Sequence, residues 1–273
     1  MNVAYQGIGG AYSEAAVYKH FGKDVHAIGY ETFEEVFNAV THKKANAGVI
    51  PIENTIAGSV AINYDLLLQE DVAIIAEIFL TIRHNLLSHH NKLEKIKRAY
   101  SHPHALAQCK EFLMKHGIKS IQEYDTAGAA EIVERRNDSE EAAIASDLCS
   151  EVYHLHIVAR DIQTHSNNIT RFFVIVPSDL IPPNLKKEKT TIAFNVKHYS
   201  GSLVNCLQRL SKYNVNLTKL ESRPIPHMSW EYVFFADLEG GINENNVQTA
   251  LSEMEAACTS IKVLGSYPKS GIE

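Results

Sequence analysis

The first part of the chain alternates short apolar runs with stretches in which apolar residues recur every three or four positions. Short apolar runs between turn formers are typical of buried strands, and the wider spacing indicates helices. The pattern predicts strands at residues 2–6, 25–30, 47–52, 96–100, 119–124, 142–145, 156–160 and 169–176, with helices at 13–21, 33–43, 59–69, 103–116, 126–136 and 146–153. Continuous apolar strands between helices favour a largely parallel sheet that is covered on both faces.

These strand–helix units are too many for one small sheet, so we expect two lobes with a cleft between them. The long apolar run at residues 72–87 is the candidate for a strand that crosses from one lobe to the other. In such folds ligands bind near the carboxyl ends of strands, where helix N-termini face them. The residues at those strand ends are therefore the candidates for chemistry.

The pattern changes after residue 177. Residues 177–189 contain three prolines followed by a charged tract, which predicts a linker. The residues that follow predict strand 190–196, helix 202–213, strands 215–223 and 230–238, helix 244–257 and strand 260–266. A turn that contains Pro224 and Pro226 separates the two middle strands. This βαββαβ order predicts a small ferredoxin-like domain.

Composition and charge narrow the class of protein. The 273 residues can bury an ample core, and the net charge of −6 argues against nucleic-acid binding. The four cysteines lie far apart without a CxxC pair, which favours a reducing compartment over a disulfide framework. The N-terminus lacks a signal-peptide pattern, so we predict a cytoplasmic protein. The 14 histidines form no metal-binding motif, and no metal site is predicted.

Small and polar residues follow several of the predicted strands. Glu53 and Asn54 come directly after strand 47–52, and Ser59 is placed to cap the next helix. Ser101 or His102 is placed to cap the helix that leads to Gln108. Each residue taken alone is equally consistent with an ordinary loop or cap.

A threonine and an arginine stand where the last apolar strand of this part begins. In a regular strand Thr170 and Phe172 share one face, while Arg171 and Phe173 share the other. Thr170 can therefore face a ligand while Arg171 contacts something on the opposite side. The alternative is a strand that simply emerges from a polar loop.

These segments together resemble the prephenate dehydratase family. PIENTIAGSV (51–60) is similar to the family's PIENS-x-x-G-S-V, SHPHALAQC (101–109) is similar to S-H-P-Q-A-L-A-Q-C, and NNITRFFVI (167–175) contains the T-R-F signature. VNLTKLESRP (215–224) resembles the ACT regulatory domain attached to that family. This chain departs from the family pattern at Thr55, His104 and Ser202, where serine, glutamine and alanine are usual.

The resemblance implies a fold with two domains. Residues 1–178 are expected to form an α/β catalytic domain similar to the two-lobed periplasmic binding proteins, with lobe one at about 1–76 and 164–178 and lobe two at about 77–163. Residues 179–189 are the expected linker. Residues 190–273 are the expected ACT regulatory domain, with the ferredoxin-like βαββαβ order.

The resemblance also implies a reaction, the conversion of prephenate to phenylpyruvate with loss of carbon dioxide and water, without a cofactor. It marks Thr170, Glu53 and Asn54 as catalytic, with Thr170 essential. The substrate-binding residues that it indicates are Ser59, Ser101, Gln108, Arg171 and Phe172. For Arg171 two interpretations stay open, because the guanidinium can pair with a substrate carboxylate or with an acid behind the strand.

The C-terminal part is expected to bind L-phenylalanine as an allosteric inhibitor. The resemblance indicates effector contacts from two segments, namely Gly201, Ser202, Leu203, Glu221, Ser222, Arg223 and Pro224. It also implies a homodimer or homotetramer built by pairing of ACT domains. Two other functions stay open: arogenate dehydratase, which acts on the transaminated substrate, and a two-lobed binding protein without catalysis.

Overall fold

The computed structural model describes residues 1–225 and 231–271, and its first sheet begins with the N-terminal alternation of strands and helices. The strands are β1 (Asn2–Gln6), β2 (His26–Tyr30), β3 (Ala47–Asn54), the short β4 (Gly58–Ser59) and β5 (Val72–Thr81), with β11 (Ile169–Pro177) added much later in the chain. Helices α1 (Tyr12–Phe21), α2 (Phe33–Thr41) and α3 (Ala61–Gln69) connect them. Apolar residues fill both faces of this sheet, as the continuous apolar runs predict.

The second sheet is formed by the middle of the chain. Its strands are β6 (Asn85–Ser88), β7 (Arg98–Ser101), β8 (Lys119–Gln122), β9 (Glu141–Ala145) and β10 (His156–Ala159), in the order β10-β6-β9-β7-β8. Its helices are α4 (Pro103–Gln108), α5 (Lys110–Lys115), α6 (Thr126–Arg136) and α7 (Asp147–Val152). The long apolar run is two strands, β5 in the first sheet and β6 in the second. The expected lobe boundary at residue 77 therefore lies inside β5, and the second sheet begins at β6.

Strand β11 corrects the prediction of a largely parallel sheet. It lies between β3 and β5 and runs antiparallel to both, because it returns from the second sheet to the first. The alternation predicted for it is observed. Phe172 packs in one apolar cluster and Phe173 in another, and the Arg171 guanidinium lies 4.7 Å from the Phe173 ring centroid on the same face.

The C-terminal part contains β12 (Lys189–Val196), α8 (Ser202–Lys212), β13 (Leu217–Pro224), β14 (Tyr232–Glu239), α9 (Asn245–Ala257) and β15 (Cys258–Tyr267). This is the βαββαβ order that the sequence predicts. The strands lie in the order β13-β14-β12-β15, and α8 and α9 pack together over an apolar cluster on one face. Pro226 of the predicted turn and Trp230 of the predicted strand lie outside the described residues.

The two parts of the chain share one continuous ten-stranded sheet. The join is a single parallel pairing between Gly265 of β15 and Ile74 of β5. A Cβ atom added at Gly265 would lie 2.2 Å from the carbonyl oxygen of Ile74, so only glycine permits this approach. One apolar cluster also spans the join, with Ile50 and Ile74 on one side and Phe235 and Tyr267 on the other.

The two predicted helix caps have different outcomes. The side chain of His102 caps α4 by accepting a hydrogen bond from the His104 N–H (3.2 Å), with Pro103 at the first helical position. Ser59 does not cap α3, which begins after Val60.

The described helices are all short. In residues 1–225 and 231–271, none is both long and apolar enough to cross a membrane. The longest is α9, with 13 residues, and its polar face is exposed between the buried positions Val247, Ala250 and Met254. Its periodicity is that of a helix packed on a sheet.

Candidate active site

Thr170 and Asn54 lie opposite each other where β11 and β3 pair. The side-chain carbonyl of Asn54 accepts hydrogen bonds from the backbone N–H groups of Ile56 (2.9 Å) and Ala57 (2.8 Å). These bonds fix the orientation of the amide, because only its oxygen can accept them. The amide nitrogen therefore faces β11, where it donates to the Thr170 hydroxyl oxygen at 2.9 Å.

The Thr170 hydroxyl keeps its own proton available. Its oxygen accepts from Asn54, and among the described residues it donates no hydrogen bond to any protein group. The side chain is half-buried, so the hydroxyl is held in one orientation but is still accessible. An oriented, partly desolvated O–H donor can stabilise an oxygen that gains negative charge during a reaction.

A buried amide joins Thr170 and Asn54 to Gln108. Asn168 is buried, and its side-chain oxygen accepts from the Asn54 amide at 2.7 Å. Its own amide donates to the Gln108 side-chain oxygen at 2.8 Å. The structure thus brings together three residues that the sequence indicated, although they lie 54 to 116 positions apart.

The same network continues to a buried histidine. Nε2 of His84 lies 2.8 Å from the Gln108 side-chain oxygen, and Nδ1 lies 2.9 Å from the Tyr12 hydroxyl. Tyr12 begins α1 beside the first sheet, whereas Gln108 ends α4 beside the second. The network therefore connects the two sheets. Burial lowers the pKa of His84, which favours the neutral imidazole.

Arg171 lies on the opposite face of β11, in a buried ion cluster. Its side chain is only 4% exposed and contacts Glu53 (3.0 Å), Glu77 (2.8 Å) and Asp237 (2.5 Å). Burial disfavours its charge, but the neighbouring carboxylates outweigh burial and raise its pKa above the usual range. Three carboxylates occupy the guanidinium, so the geometry favours the structural interpretation of Arg171 over the substrate countercharge.

The C-terminal part completes this ion cluster. Lys189 of β12 contacts Glu77 at 2.8 Å, and the Tyr267 hydroxyl accepts from Arg171 at 3.2 Å. Thr191 donates to Asp237 at 2.7 Å. Buried charges are tolerated where such partners surround them. The residue next to Thr170 in the chain is therefore fixed by groups from both parts of the protein.

Glu53 is paired with cations from both parts of the chain. Besides Arg171, it contacts Lys219 of β13 at 2.5 Å. Burial opposes ionisation, but Lys219 and Arg171 together lower the pKa of the Glu53 carboxyl. Both of its oxygens are occupied by these cations. A role for Glu53 in catalysis would have to act through this pairing and stays a prediction.

The lowered pKa of Glu53 predicts a change in acid stability. A carboxyl with a depressed folded-state pKa contributes stability above its unfolded pKa of about 4.3, and that contribution is lost as pH falls through the folded value. We expect Glu53→Gln to reduce the loss of unfolding free energy as pH falls below about 4.3, measured by urea titration at a series of pH values from 7 downward. Exposed Glu34→Gln is the matched control. An acid dependence unchanged from the parent protein would contradict the assignment.

Three other predicted substrate-binding residues lie away from the Thr170 network. The Ser101 hydroxyl is fully buried and donates to the Ile144 carbonyl at 2.6 Å. Phe172 is a core residue, 2% exposed. The Ser59 hydroxyl donates to Glu221 of β13 at 2.8 Å. These three side chains therefore contact other parts of the protein. Their partners are distant in the chain, so the local sequence does not reveal them.

The predicted effector residues divide between two faces of the C-terminal sheet. A cavity of about 410 Å³ lies at the start of α8 and is lined by Ser202 and Leu203 together with Tyr232 and Phe234 of β14. Gly201 precedes that helix with a left-handed backbone (φ 86°), which favours glycine.

Strand β13 carries the other predicted effector residues. Ser222 and Pro224 are cross-strand neighbours of Phe234 and Tyr232, so they share the face that holds the cavity. Glu221 and Arg223 point to the opposite face, where Glu221 accepts from Ser59 and Arg223 pairs with Asp65 at 2.9 Å. Glu221 and Arg223 therefore contact the N-terminal part instead of the cavity.

Sequence reasoning missed three residues of the network. From the sequence alone, Asn168 is consistent with an ordinary turn residue, and His84 is one of 14 histidines that form no metal-binding motif. Tyr12 carries no local signal beyond its place after a glycine-rich turn. The signal that could have found Asn168 is its position two residues before Thr170, which places an amide beside the strand end.

Comparisons of sequence place the chain among known proteins. Residues 3–179 match the family model described as prephenate dehydratase. A bifunctional chorismate mutase/prephenate dehydratase of Aquifex aeolicus is 41% identical over 272 residues, which span 99% of this chain and 74% of that protein. The chloroplastic arogenate dehydratase/prephenate dehydratase 2 of Arabidopsis thaliana is 38% identical over 278 residues, which span 98% of this chain and 73% of that protein.

Two solved structures are similar to almost the whole chain. The prephenate dehydratase of Arthrobacter aurescens in complex with L-Phe superposes with a TM-score of 0.89 at 27% identity, covering 98% of this chain and 90% of that chain. A protein described as a novel type of quorum-quenching acylase superposes with a TM-score of 0.92 at 30% identity, covering 99% of this chain and 98% of that chain. Both likenesses extend over the N-terminal and C-terminal parts together.

Proposed function

The chain belongs to the prephenate dehydratase family, and from that premise we propose that it converts prephenate to phenylpyruvate. In this reaction the bond between the ring and its carboxylate breaks, and the electron pair enters the ring as carbon dioxide leaves. The ring C–O bond breaks at the same time, and the departing hydroxide takes one proton to become water. The aromatic ring that forms supplies the driving force, so the protein must position the substrate and stabilise the leaving oxygen.

The observation that carries this proposal is the free O–H of Thr170, oriented by Asn54. A threonine hydroxyl is a weak acid, but in a partly desolvated site its hydrogen bond strengthens as charge grows on the acceptor. In the proposed role, Thr170 donates to the hydroxyl that leaves the ring. Asn54 occupies one lone pair of the Thr170 oxygen, and the Thr170 proton is left to be donated to a ligand.

Gln108 is the second proposed substrate contact. Its side-chain oxygen accepts from Asn168, and among the described residues its amide nitrogen donates no hydrogen bond. A free amide donor suits a substrate carboxylate oxygen. The positions of Ser59, Ser101, Arg171 and Phe172 give less support to direct substrate contact, because the hydroxyls and the guanidinium have protein partners and Phe172 is in the core.

We further propose that residues 190–273 form an ACT regulatory domain, joined through linker 179–189 to a two-lobed catalytic domain at 1–178. The βαββαβ order, the cavity at the start of α8 and the likeness to a phenylalanine-bound prephenate dehydratase support an L-phenylalanine site at Gly201, Ser202, Leu203, Ser222 and Pro224. Glu221 and Arg223 are better suited to transmit inhibition from the L-phenylalanine site, because they contact the proposed catalytic domain.

Pairing of two regulatory domains, giving a homodimer or homotetramer, remains part of this proposal. The cytoplasm remains the proposed location, and the four cysteines, all free thiols, suit a reducing compartment. Arogenate is the second candidate substrate, because a relative at 38% identity carries both names. Prephenate and arogenate differ in one side-chain group, so their relative rates must be measured.

We expect the purified protein to form phenylpyruvate from prephenate, and we expect L-phenylalanine to suppress that rate. A ligand shifts an equilibrium only when it binds one state more tightly, so inhibition should accompany a change in substrate response. The measurement is phenylpyruvate absorbance across prephenate and phenylalanine titrations. Turnover of arogenate is measured in parallel as formation of phenylalanine, because its side-chain amino group is retained in the product. Inactivity of the folded protein on both substrates would favour a binding protein without catalysis. Turnover at a rate that phenylalanine does not change would contradict only the regulatory proposal.

A further inference from the structure

The hydrogen bonds beneath Thr170 run in one direction only. The Asn54 side-chain oxygen accepts from two backbone N–H groups, so the Asn54 amide must donate to the Asn168 oxygen. The Asn168 amide must in turn donate to the Gln108 oxygen. A turn in the first sheet therefore fixes the orientation of a side chain on α4, beside the second sheet.

The direction of these bonds determines the tautomer of His84. A side-chain amide oxygen can only accept, so the ring nitrogen that contacts Gln108 at 2.8 Å must carry a proton. Nε2 is therefore the protonated nitrogen, and in the neutral ring Nδ1 has a lone pair. That lone pair faces the Tyr12 hydroxyl at 2.9 Å, whose single proton can be donated either to Nδ1 or to the Arg83 carbonyl at 2.7 Å.

The surroundings favour this neutral state. Burial raises the pKa of Tyr12, so its hydroxyl keeps the proton that it donates, and burial lowers the pKa of His84. In a doubly protonated ring, Nδ1–H would donate to the Tyr12 oxygen. The Tyr12 hydroxyl would then donate to the Arg83 carbonyl at 2.7 Å. The two protonation states thus differ in whether Nδ1 can accept the Tyr12 proton.

We propose that His84 is a positioning residue for the dehydration, and that its Nε2–H tautomer holds Gln108 so that the Gln108 amide and the Thr170 hydroxyl are presented together to the substrate. His84 and Asn168 occupy both lone pairs of the Gln108 oxygen, which leaves the amide nitrogen as the only free group of that side chain. The inference rests on the proposed function, because His84 is assigned the task of orienting Gln108 for the dehydration.

Removal of the imidazole should leave few groups without a partner. Without the imidazole, the Tyr12 hydroxyl can donate to the Arg83 carbonyl at 2.7 Å, and the Gln108 oxygen still accepts from Asn168. His84 is 4% exposed, so leucine, an apolar residue of similar size, suits the site. A purely structural role therefore predicts a change in stability without a specific change in kcat.

The experiment compares His84→Leu with His84→Gln. The leucine variant lacks the donor to Gln108, whereas the glutamine amide can supply one. We expect His84→Leu to lower kcat roughly 10- to 100-fold with urea unfolding close to the parent, and His84→Gln to recover most of that loss. Equal loss in both variants, or parent kcat in His84→Leu, would overturn the proposal.

A spectroscopic measurement tests the tautomer without any turnover. In ¹⁵N-histidine-labelled protein we expect the His84 signals, identified by their absence in His84→Gln, to show a protonated Nε2 and an unprotonated Nδ1. Tyr12→Phe should remove the donor and shift the Nδ1 signal. A protonated Nδ1 in the parent protein would overturn the inference. Absence of turnover would overturn the proposed function alone, because these spectra do not depend on activity.

Discussion

Thr170→Ala is expected to lower kcat for prephenate by roughly 10²- to 10³-fold, the typical cost of removing one preorganised donor to a developing charge. The change removes the only O–H donor that Asn54 orients, and no other described hydroxyl bonds to that amide. Folding should be preserved, because the Asn54 amide keeps its bond to Asn168. The measurement is kcat and KM from phenylpyruvate formation, beside the free energy of unfolding in urea.

Two control variants sharpen this prediction. Thr170→Ser keeps the hydroxyl and should keep kcat within roughly 10-fold of the parent, since serine and threonine donate equally well. Thr249→Ala removes an exposed hydroxyl on α9 and should leave kcat unchanged. If Thr170→Ala turned over prephenate at close to the parent rate, Thr170 would have no role as a donor.

Arg171→Met is expected to destabilise the protein by about 3–5 kcal/mol, the cost of breaking a buried ion pair from one side. The change leaves Asp237 and Glu77, both buried, with less countercharge. Lys189 still contacts Glu77, so we expect the lower half of that range. Urea unfolding at pH 7 measures the effect.

This variant also distinguishes the two interpretations of Arg171. A countercharge for the substrate would show mainly as a raised KM, with little change in stability. A structural cation would show as lost stability, with the KM of the remaining folded protein near the parent value. Arg223→Met is the matched control, because its ion pair with Asp65 is about one-quarter exposed and should contribute less than about 1 kcal/mol.

The local pattern of the sequence was sufficient to predict most elements of the fold. The N-terminal alternation and the C-terminal βαββαβ order both follow from spacing of apolar residues, which reports burial directly. Spacing does not report strand direction, so the antiparallel insertion of β11 could not be predicted. The helix predicted over 103–116 is interrupted at Cys109, where two short helices meet, and the apolar pattern continues across that interruption.

The site was predictable only in part, and for a physical reason. Thr170, Asn54 and Gln108 each follow or extend from a strand end, and the motifs that contain them are distinctive. Their orientation depends on Asn168 and His84, which act through hydrogen bonds between residues distant in the chain. Ser59 was predicted to cap a helix, but its partner Glu221 comes from another part of the protein. Partners that are this distant in the chain cannot be predicted from the local sequence.

The ion cluster around Arg171 has a consequence for how such chains can be recombined. A cut within residues 179–188 separates Arg171 and Glu77 from Asp237, Lys189 and Tyr267. An exchange of C-terminal parts between relatives would therefore have to preserve the charges on both sides of the cluster. The charges of the two parts therefore have to match, and a mismatch would act directly on β11, the strand that carries Arg171 and Thr170.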